Sequence, residues 1–140
     1  MSEIDLRTLL VTDPALSALV PASNIRINFI QQGAQGVVLA IYRISGAPGY
    51  TMQGDDGLVE SRYQIDIRGK DTEGYPGSGW SAALPVATRL KALLSGYRGT
   101  VGSTDFRMIS ILSERQRSEK TGTDMYHTFS FDFQIWHRAS

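Results

Sequence analysis

The sequence predicts an α+β domain in which helices pack on one face of a mostly antiparallel sheet, forming two layers. Two segments, residues 58–68 and 127–137, alternate apolar and polar side chains almost without a break. Successive side chains of a strand point to opposite faces, so each segment is a strand with one buried and one polar, solvent-facing face. Helical periodicity before and between them supplies the second layer.

The composition indicates one soluble domain, residues 1–140. A length of 140 residues with 41% hydrophobic and 20% charged residues is ordinary for a globular domain. The absence of cysteine excludes disulfides, a thiol nucleophile and cysteine-based metal sites. Because Lys plus Arg and Asp plus Glu are 14 each, there is no basic excess for tight DNA binding. The apolar run at residues 37–42 is too short to span a bilayer, which leads us to expect no membrane association.

The first half of the chain predicts two short helices and two strands. Residues 3–11 have helical apolar spacing, and a second helix, residues 15–20, restarts with Asp13 as its N-cap and Pro14 in its first turn. Residues 25–29 form a short strand. The strand at residues 37–45 is apolar on both faces, which predicts a central strand that is covered on both sides. A turn-rich loop, residues 46–57, joins it to the next strand.

The second half predicts one helix and two strands. The helix runs from about residue 80 to Leu94, but Pro85 indicates that regular helix begins near Ala83. Gly96 is its C-terminal cap. Its inward side is expected to carry apolar residues: Leu84, Ala87, Leu90, Leu93 and Leu94. A strand at residues 106–113 and the closing strand are joined by a charged hairpin loop, residues 114–124.

The sequence predicts no catalytic residue, cofactor or metal site. The two histidines, His127 and His137, are about 33 Å apart along one strand and cannot share a metal ion within one subunit. Residues 77–82 match the G-x-G-x-x-A pattern, but no buried parallel strand directly precedes them, so a flexible loop is the better interpretation. Asp55 and Asp56 fit a turn better than a cation site. We therefore expect that the chain is not an enzyme.

With these elements in order, nearly the full chain resembles the tail-completion family of long-tailed bacteriophages, also described as tail terminators. The order and spacing of several segments carry the resemblance: residues 10–20, 38–45, 50–51, 57–59, 63–67, 92–100 and 131–137. The chain departs from the family at residues 75–83, which are rich in Gly and Pro where the family has a charged helix start.

The resemblance implies a structural role without catalytic residues or cofactors. Such proteins form a ring, typically of six subunits, at the head-proximal end of the tail tube in the virion. The ring ends tube polymerisation and joins the tail to the head connector, and DNA passes through it. The partners would be copies of the chain itself, the tail tube protein and the connector, with assembly in the cytoplasm of the host bacterium.

Two sets of residues are the candidate functional surfaces. The polar sheet face is expected to line the lumen, where mixed charge lets DNA slide: Glu60, Arg62, Gln64, Asp66, Asp132 and Gln134. The two loops and an exposed tryptophan are expected to form protein interfaces: Asp55, Asp56, Arg115, Arg117, Glu119, Lys120 and Trp136. The competing hypotheses are an assembly factor that is absent from the particle and a small-molecule or nucleotide-binding domain that uses residues 69–79.

Overall fold

Three helices and six strands make up the fold in a computed structural model that describes residues 2–29, 36–52 and 54–139. The helices are α1 (Ser2–Thr12), α2 (Pro14–Ser17) and α3 (Ser78–Leu94), with one 3-10 turn at Ala22–Asn24. The strands are β1 (Ile25–Ile27), β2 (Val38–Thr51), β3 (Gly54–Lys70), β4 (Gly99–Val101), β5 (Thr104–Thr121) and β6 (Asp124–Ala139).

The six strands form one sheet in the order β1-β2-β3-β6-β5-β4. Strand β1 pairs in parallel with β2, and all other pairs are antiparallel. The predicted α+β architecture is therefore confirmed. The two alternating segments lie side by side as β3 and β6, with Ile65 opposite Phe131 and Ile67 opposite Phe129. The longest apolar faces of the sequence thus occupy the middle of the sheet.

The core lies between that apolar face and the helices. Leu6 and Leu10 of α1 and Leu90 and Leu94 of α3 are fully buried, as is Phe133 of β6. Strand β2 lies between β1 and β3, nearer an edge than predicted, but its residues 38–41 are buried on both faces. The predicted cap of α2 is confirmed, because the Asp13 carboxylate accepts a hydrogen bond from the Leu16 amide at 2.9 Å.

Both predicted long loops are wrong, because the strands continue through them. Residues 46–57 lie almost entirely in β2 and β3, which pair as far as Thr51 opposite Gly54. Pro48 is tolerated because β1 pairs with β2 only at residues 39–41, which leaves this part of β2 at an edge. Likewise β5 and β6 pair to Thr121 opposite Asp124, and Gly122 supplies the positive φ of a two-residue turn. The content of Gly, Pro and charged residues led us to predict turns in both segments. Pairing with a neighbouring strand determines their structure instead.

Helix α3 begins five residues earlier than predicted, at Ser78, and contains Pro85. Pro85 is exposed, so the Ser81 carbonyl that lacks its helical partner faces water rather than the core. The expected inward position of Leu84 is also wrong, since this side chain is 37% exposed. Gly96, just after the helix, has a φ of 77°, which confirms the predicted cap region.

Two glycines let the start of α3 lie directly against the end of β3. A Cβ added at Gly69 would lie 2.1 Å from the carbonyl oxygen of Gly79, and one at Gly79 would lie 2.6 Å from that of Gly69. Gly77, at the helix start, has a φ of 82°. The close approach at Gly79 and the positive φ at Gly77 therefore explain both glycines of the G-x-G-x-x-A pattern without a bound nucleotide.

Candidate assembly surface

The sheet face opposite the helices carries the predicted polar residues in adjacent rows. Strand register places Arg62 opposite Gln134, Gln64 opposite Asp132, and Glu60 opposite Trp136. Strand β5 extends the rows, with Ser113 opposite Asp132 and Arg115 opposite Ser130. We call this surface the polar face: Tyr42, Glu60, Arg62, Gln64, Asp66, Arg68, Ser113, Arg115, Arg117, Thr128, Ser130, Asp132, Gln134 and Trp136.

Asp132 is the electrostatic centre of the polar face. One of its oxygens accepts hydrogen bonds from Ser113 Oγ and Arg115 Nη1, each at 2.8 Å. Arg62 Nη2 lies 3.7 Å from the same oxygen. The hydrogen bond from Arg115, followed by that from Ser113, holds the pKa of Asp132 below its usual range despite burial. The carboxylate therefore stays ionised and offsets one of the two positive charges of Arg62 and Arg115.

A second buried carboxylate lies beside it. Asp66 Oδ1 accepts hydrogen bonds from Ser130 Oγ at 2.7 Å and from Gln64 Nε2 at 3.0 Å. Asp66 and Asp132 are each only 6% exposed, and Ser130 only 2%. The expectation of a fully solvated polar face is therefore wrong, because longer side chains cover these short ones. Neighbouring side chains of the face, arginines at Asp132 and neutral donors at Asp66, satisfy the two buried carboxylates.

Arginines form the outer layer of the polar face. The side chains of Arg62 and Arg115 are about half exposed, at 52% and 51%, and Arg117 is exposed. Arg68 lies 3.6 Å above the ring centre of Tyr126, which holds this guanidinium by a cation–π contact. The face thus presents guanidinium groups to solvent, and two of them, Arg62 and Arg115, pair with the buried Asp132 beneath.

Two exposed apolar side chains interrupt this face at strand irregularities. The register shifts between Arg43 and Ser45 in β2 and between Ile111 and Ser113 in β5. The extra residues, Ile44 and Leu112, are 55% and 47% exposed. Sequence reasoning missed both positions, although adjacent apolar residues at 111 and 112 break the alternation and signal a bulge.

The two long hairpins end at opposite ends of the sheet. Beyond the row of Val59 and His137, β3 no longer pairs with β6 and continues with β2 alone. We call this projection the β2–β3 arm, residues 48–58. Met52 lies at its tip and is fully exposed. The β5–β6 turn lies at the other end of the sheet, past the row of Lys70 and Tyr126.

A groove of about 680 Å³ opens beside the base of the β2–β3 arm. Trp136 and Met108 contribute its apolar surface, together with Leu58. Its charged residues are three arginines and one aspartate: Arg98, Arg107, Arg138 and Asp105. We call it the arginine groove. Trp136 is only partly exposed because it lies in this groove rather than on an open surface.

Three residues near the β5–β6 turn lie in series, as in a hydrolase triad. His127 Nδ1 lies 2.7 Å from Ser118 Oγ, and its Nε2 lies 3.0 Å from Asp71 Oδ1 without hydrogen-bond geometry. The Asp71 oxygens accept the amide N–H groups of Gly77 and Gly79 at 3.0 and 2.8 Å. These amides hold the pKa of Asp71 below its usual range. Asp71 therefore anchors the start of α3.

The structure does not keep the two predicted sets of residues apart. Arg115 and Arg117, expected on a separate loop, share the polar face with the residues expected to line the lumen. Glu119 and Lys120 are exposed near the β5–β6 turn, and Trp136 lies at the opposite end. Asp55 and Asp56 belong to β3 in the arm, and their side chains lie outside the described part of the structure.

Within residues 2–29, 36–52 and 54–139, no three His, Asp or Glu side chains are grouped to hold a metal ion. None of the helices found there is long and apolar enough to cross a membrane.

A chain of one known virion structure has a similar fold. The chain aligns with a chain of the virion of a native gene transfer agent particle, with a TM-score of 0.68 and 13% identity over 96% of this chain and 93% of that one. A second solved structure, whose description states no function, aligns with a TM-score of 0.53 and 18% identity over 96% of both chains. No protein-family model and no curated protein matches the sequence. These likenesses show a shared fold.

Proposed function

We propose that the chain is a structural virion protein that forms a closed ring, hexameric as in the family it resembles. The observation that carries the proposal is the fold shared with a chain of the gene transfer agent virion, an alignment that covers 96% of this chain and 93% of that one. A ring needs two different complementary surfaces on each subunit, related by a rotation that closes. The two lateral edges of the sheet, β1–β2 and β5–β4, differ from each other and are available for two such surfaces.

The proposed position of the ring is the head-proximal end of the tail tube, where it ends tube polymerisation and joins the connector. Such a ring must contact one partner above and another below. The two hairpins support this role, because the β2–β3 arm and the β5–β6 turn lie at opposite ends of the sheet. Each subunit then offers the β5–β6 turn, with the exposed Glu119 and Lys120, to one axial partner and the end of the sheet that carries the arm to the other.

The polar face is the proposed lining of the lumen through which DNA passes. A guanidinium group that already pairs with a buried carboxylate, as Arg115 does with Asp132, binds DNA phosphates less strongly than an unpaired cation would. DNA can then move along the face with little retention. The Asp132→Asn variant frees Arg62 and Arg115, so we expect tighter, more salt-sensitive DNA binding than for the unmodified ring. A matched Asp124→Asn variant at the β5–β6 turn should leave DNA binding unchanged.

The ring is tested with purified protein and isolated tail tubes. Light scattering with negative-stain images of the same peak is expected to give a closed ring near six times the 15.4 kDa chain mass. If the ring forms only on the tube, the chain should instead cap one end of each tube and prevent its elongation. A protein that stays monomeric and neither caps tubes nor stops their growth would contradict the proposal. Such a protein would fit an assembly factor.

A further inference from the structure

The arginine groove has the composition of a protein-binding site. It combines a partly buried tryptophan and a methionine with three guanidinium groups, a mixture enriched where interfaces carry most of their binding energy. Among the described residues of its lining, Asp105 is the one acid: Arg107 lies 3.3 Å and Arg138 3.9 Å from its carboxylate. Three arginines against one aspartate leave an excess of two positive charges. The groove therefore favours an acidic ligand with an apolar tip.

The β2–β3 arm of the same chain has the complementary composition. Its tip carries Met52, fully exposed, and its sequence adds two consecutive acids, Asp55 and Asp56, with no basic residue between positions 48 and 58. From Gly54 to Leu58 the arm extends about 17 Å past the last row shared by β3 and β6, at ~3.3 Å per residue. An acidic arm with an apolar tip is thus present in every copy of the chain.

The position of the two features suits neighbours that are related by rotation. The groove is formed mainly by β5, β6 and the start of β4, with Leu58 at the base of the arm along one side, whereas the tip of the arm with Met52 extends away from it. Both lie at the same end of the sheet. In a cyclic ring all subunits point the same way, so the arm of one subunit and the groove of the next are at the same height.

We propose that the arginine groove receives the tip of the β2–β3 arm from a neighbouring copy of the chain. Met52 of one copy packs against Trp136 and Met108 of the next, and the acidic arm residues lie beside the groove arginines. The contact is heterologous, so every subunit gives one arm and receives one. This inference rests on the proposed ring and specifies which segments close it.

Charge reversal tests the pairing. Asp55→Lys with Asp56→Lys makes the arm basic, and Arg107→Asp with Arg138→Asp makes the groove acidic. Each double variant alone sets like charges against each other and is expected to weaken self-association by at least about tenfold. In an equimolar mixture, the basic arm of the first variant meets the acidic groove of the second. The acidic arm of the second variant meets the basic groove of the first. A ring in which the two variants alternate should therefore assemble again. Glu73→Lys, an exposed change at the other end of the sheet, is the matched control and should assemble normally.

Cysteine cross-linking tests the same contact without changing charge, because the chain has no cysteine of its own. Met52→Cys and Met108→Cys are prepared as separate, differently tagged proteins and oxidised together. The proposal predicts a mixed disulfide, since bonding needs Cα atoms within about 7 Å. Met52→Cys mixed with Thr123→Cys, which lies at the far turn, should give only the background of random collisions.

The outcomes separate this contact from the ring itself. A closed ring that shows no selective bond between positions 52 and 108, and no sensitivity to charge reversal, overturns the arm-and-groove contact and leaves the ring standing. Selective bonding in a sample that light scattering finds monomeric supports the contact as a weak association. A monomer with neither selective bonding nor tube capping contradicts both proposals.

Discussion

Replacing Gly69 by alanine tests the closest approach in the fold. The new Cβ would lie 2.1 Å from the Gly79 carbonyl oxygen, whereas real Cβ atoms stay beyond about 3.0 Å from such atoms. The end of β3 and the start of α3 must therefore separate by about 0.9 Å. Because both obstructing groups are backbone, no side-chain rotation can relieve the contact.

The expected cost of Gly69→Ala is about 2–3 kcal/mol, at the upper end for overpacking, because a helix must move rather than a side chain. Urea unfolding should show a lower midpoint with an unchanged slope. At roughly 4 °C per kcal/mol for a chain of this size, the melting temperature should fall by about 10 °C. Gly79→Ala, which meets the Gly69 carbonyl at 2.6 Å, should behave similarly.

The matched control for this prediction is Gly74→Ala. Gly74 has a φ of 82° and open space around its added Cβ, so the substitution costs only the left-handed backbone, about 1–2 kcal/mol. Gly69→Ala should therefore be the more destabilising of the two. Equal stability of Gly69→Ala and the unmodified chain would show that α3 does not lie this close to β3.

Added nucleotides should not raise the melting temperature of Gly69→Ala or of Gly74→Ala.

Substitutions at four further positions test other parts of the structure. Phe133→Ala should cost about 3–5 kcal/mol in urea unfolding, because this side chain is fully buried between the layers. Asp13→Ala removes the α2 cap and should cost at least about 1 kcal/mol, whereas Asp13→Ser should recover part of that loss. Asp132 has a lowered pKa, so Asp132→Asn should be less stable at neutral pH, and the difference should shrink as the pH falls below 3.8. Burial lowers the pKa of His137, so its contribution is complete above pH 6.5 and falls below it; His137→Gln should flatten that part of the stability profile. A pH-independent difference for either variant would contradict these assignments.

The parts of the fold that could be predicted are those with strict periodicity. Alternation in residues 58–68 and 127–137 correctly separated the helix-facing from the polar side chains, because a strand has a period of two. The Asp13–Pro14 restart was also predictable, since capping acts over three or four residues. Local rules sufficed in both cases.

The strand lengths could not be predicted, because pairing between distant residues determines them. Residues 46–57 and 114–124 have few apolar side chains, yet backbone hydrogen bonds to a partner strand keep both extended. The exposed start of α3 likewise tolerates Pro85, which a local rule places outside the regular helix. Propensity is a weak guide where tertiary pairing satisfies the backbone.

The candidate surface was predicted residue by residue but not as an arrangement. Sequence placed Arg62, Asp66 and Asp132 on one face, but not the burial of the two acids beneath the arginines. That burial depends on which long side chains cover short ones across three strands. The arginine groove was missed apart from Trp136, because its residues come from four separate segments of the chain.

The position of the chain in assembled particles is the most direct test of the proposed function. Particles purified from the strain that encodes the chain would be analysed by quantitative mass spectrometry and by electron microscopy after labelling a tag on the chain. We expect about six copies per particle and label only at the junction of head and tail. A particle that lacks the chain, or that carries it along the whole tail, would contradict a ring at the head-proximal end.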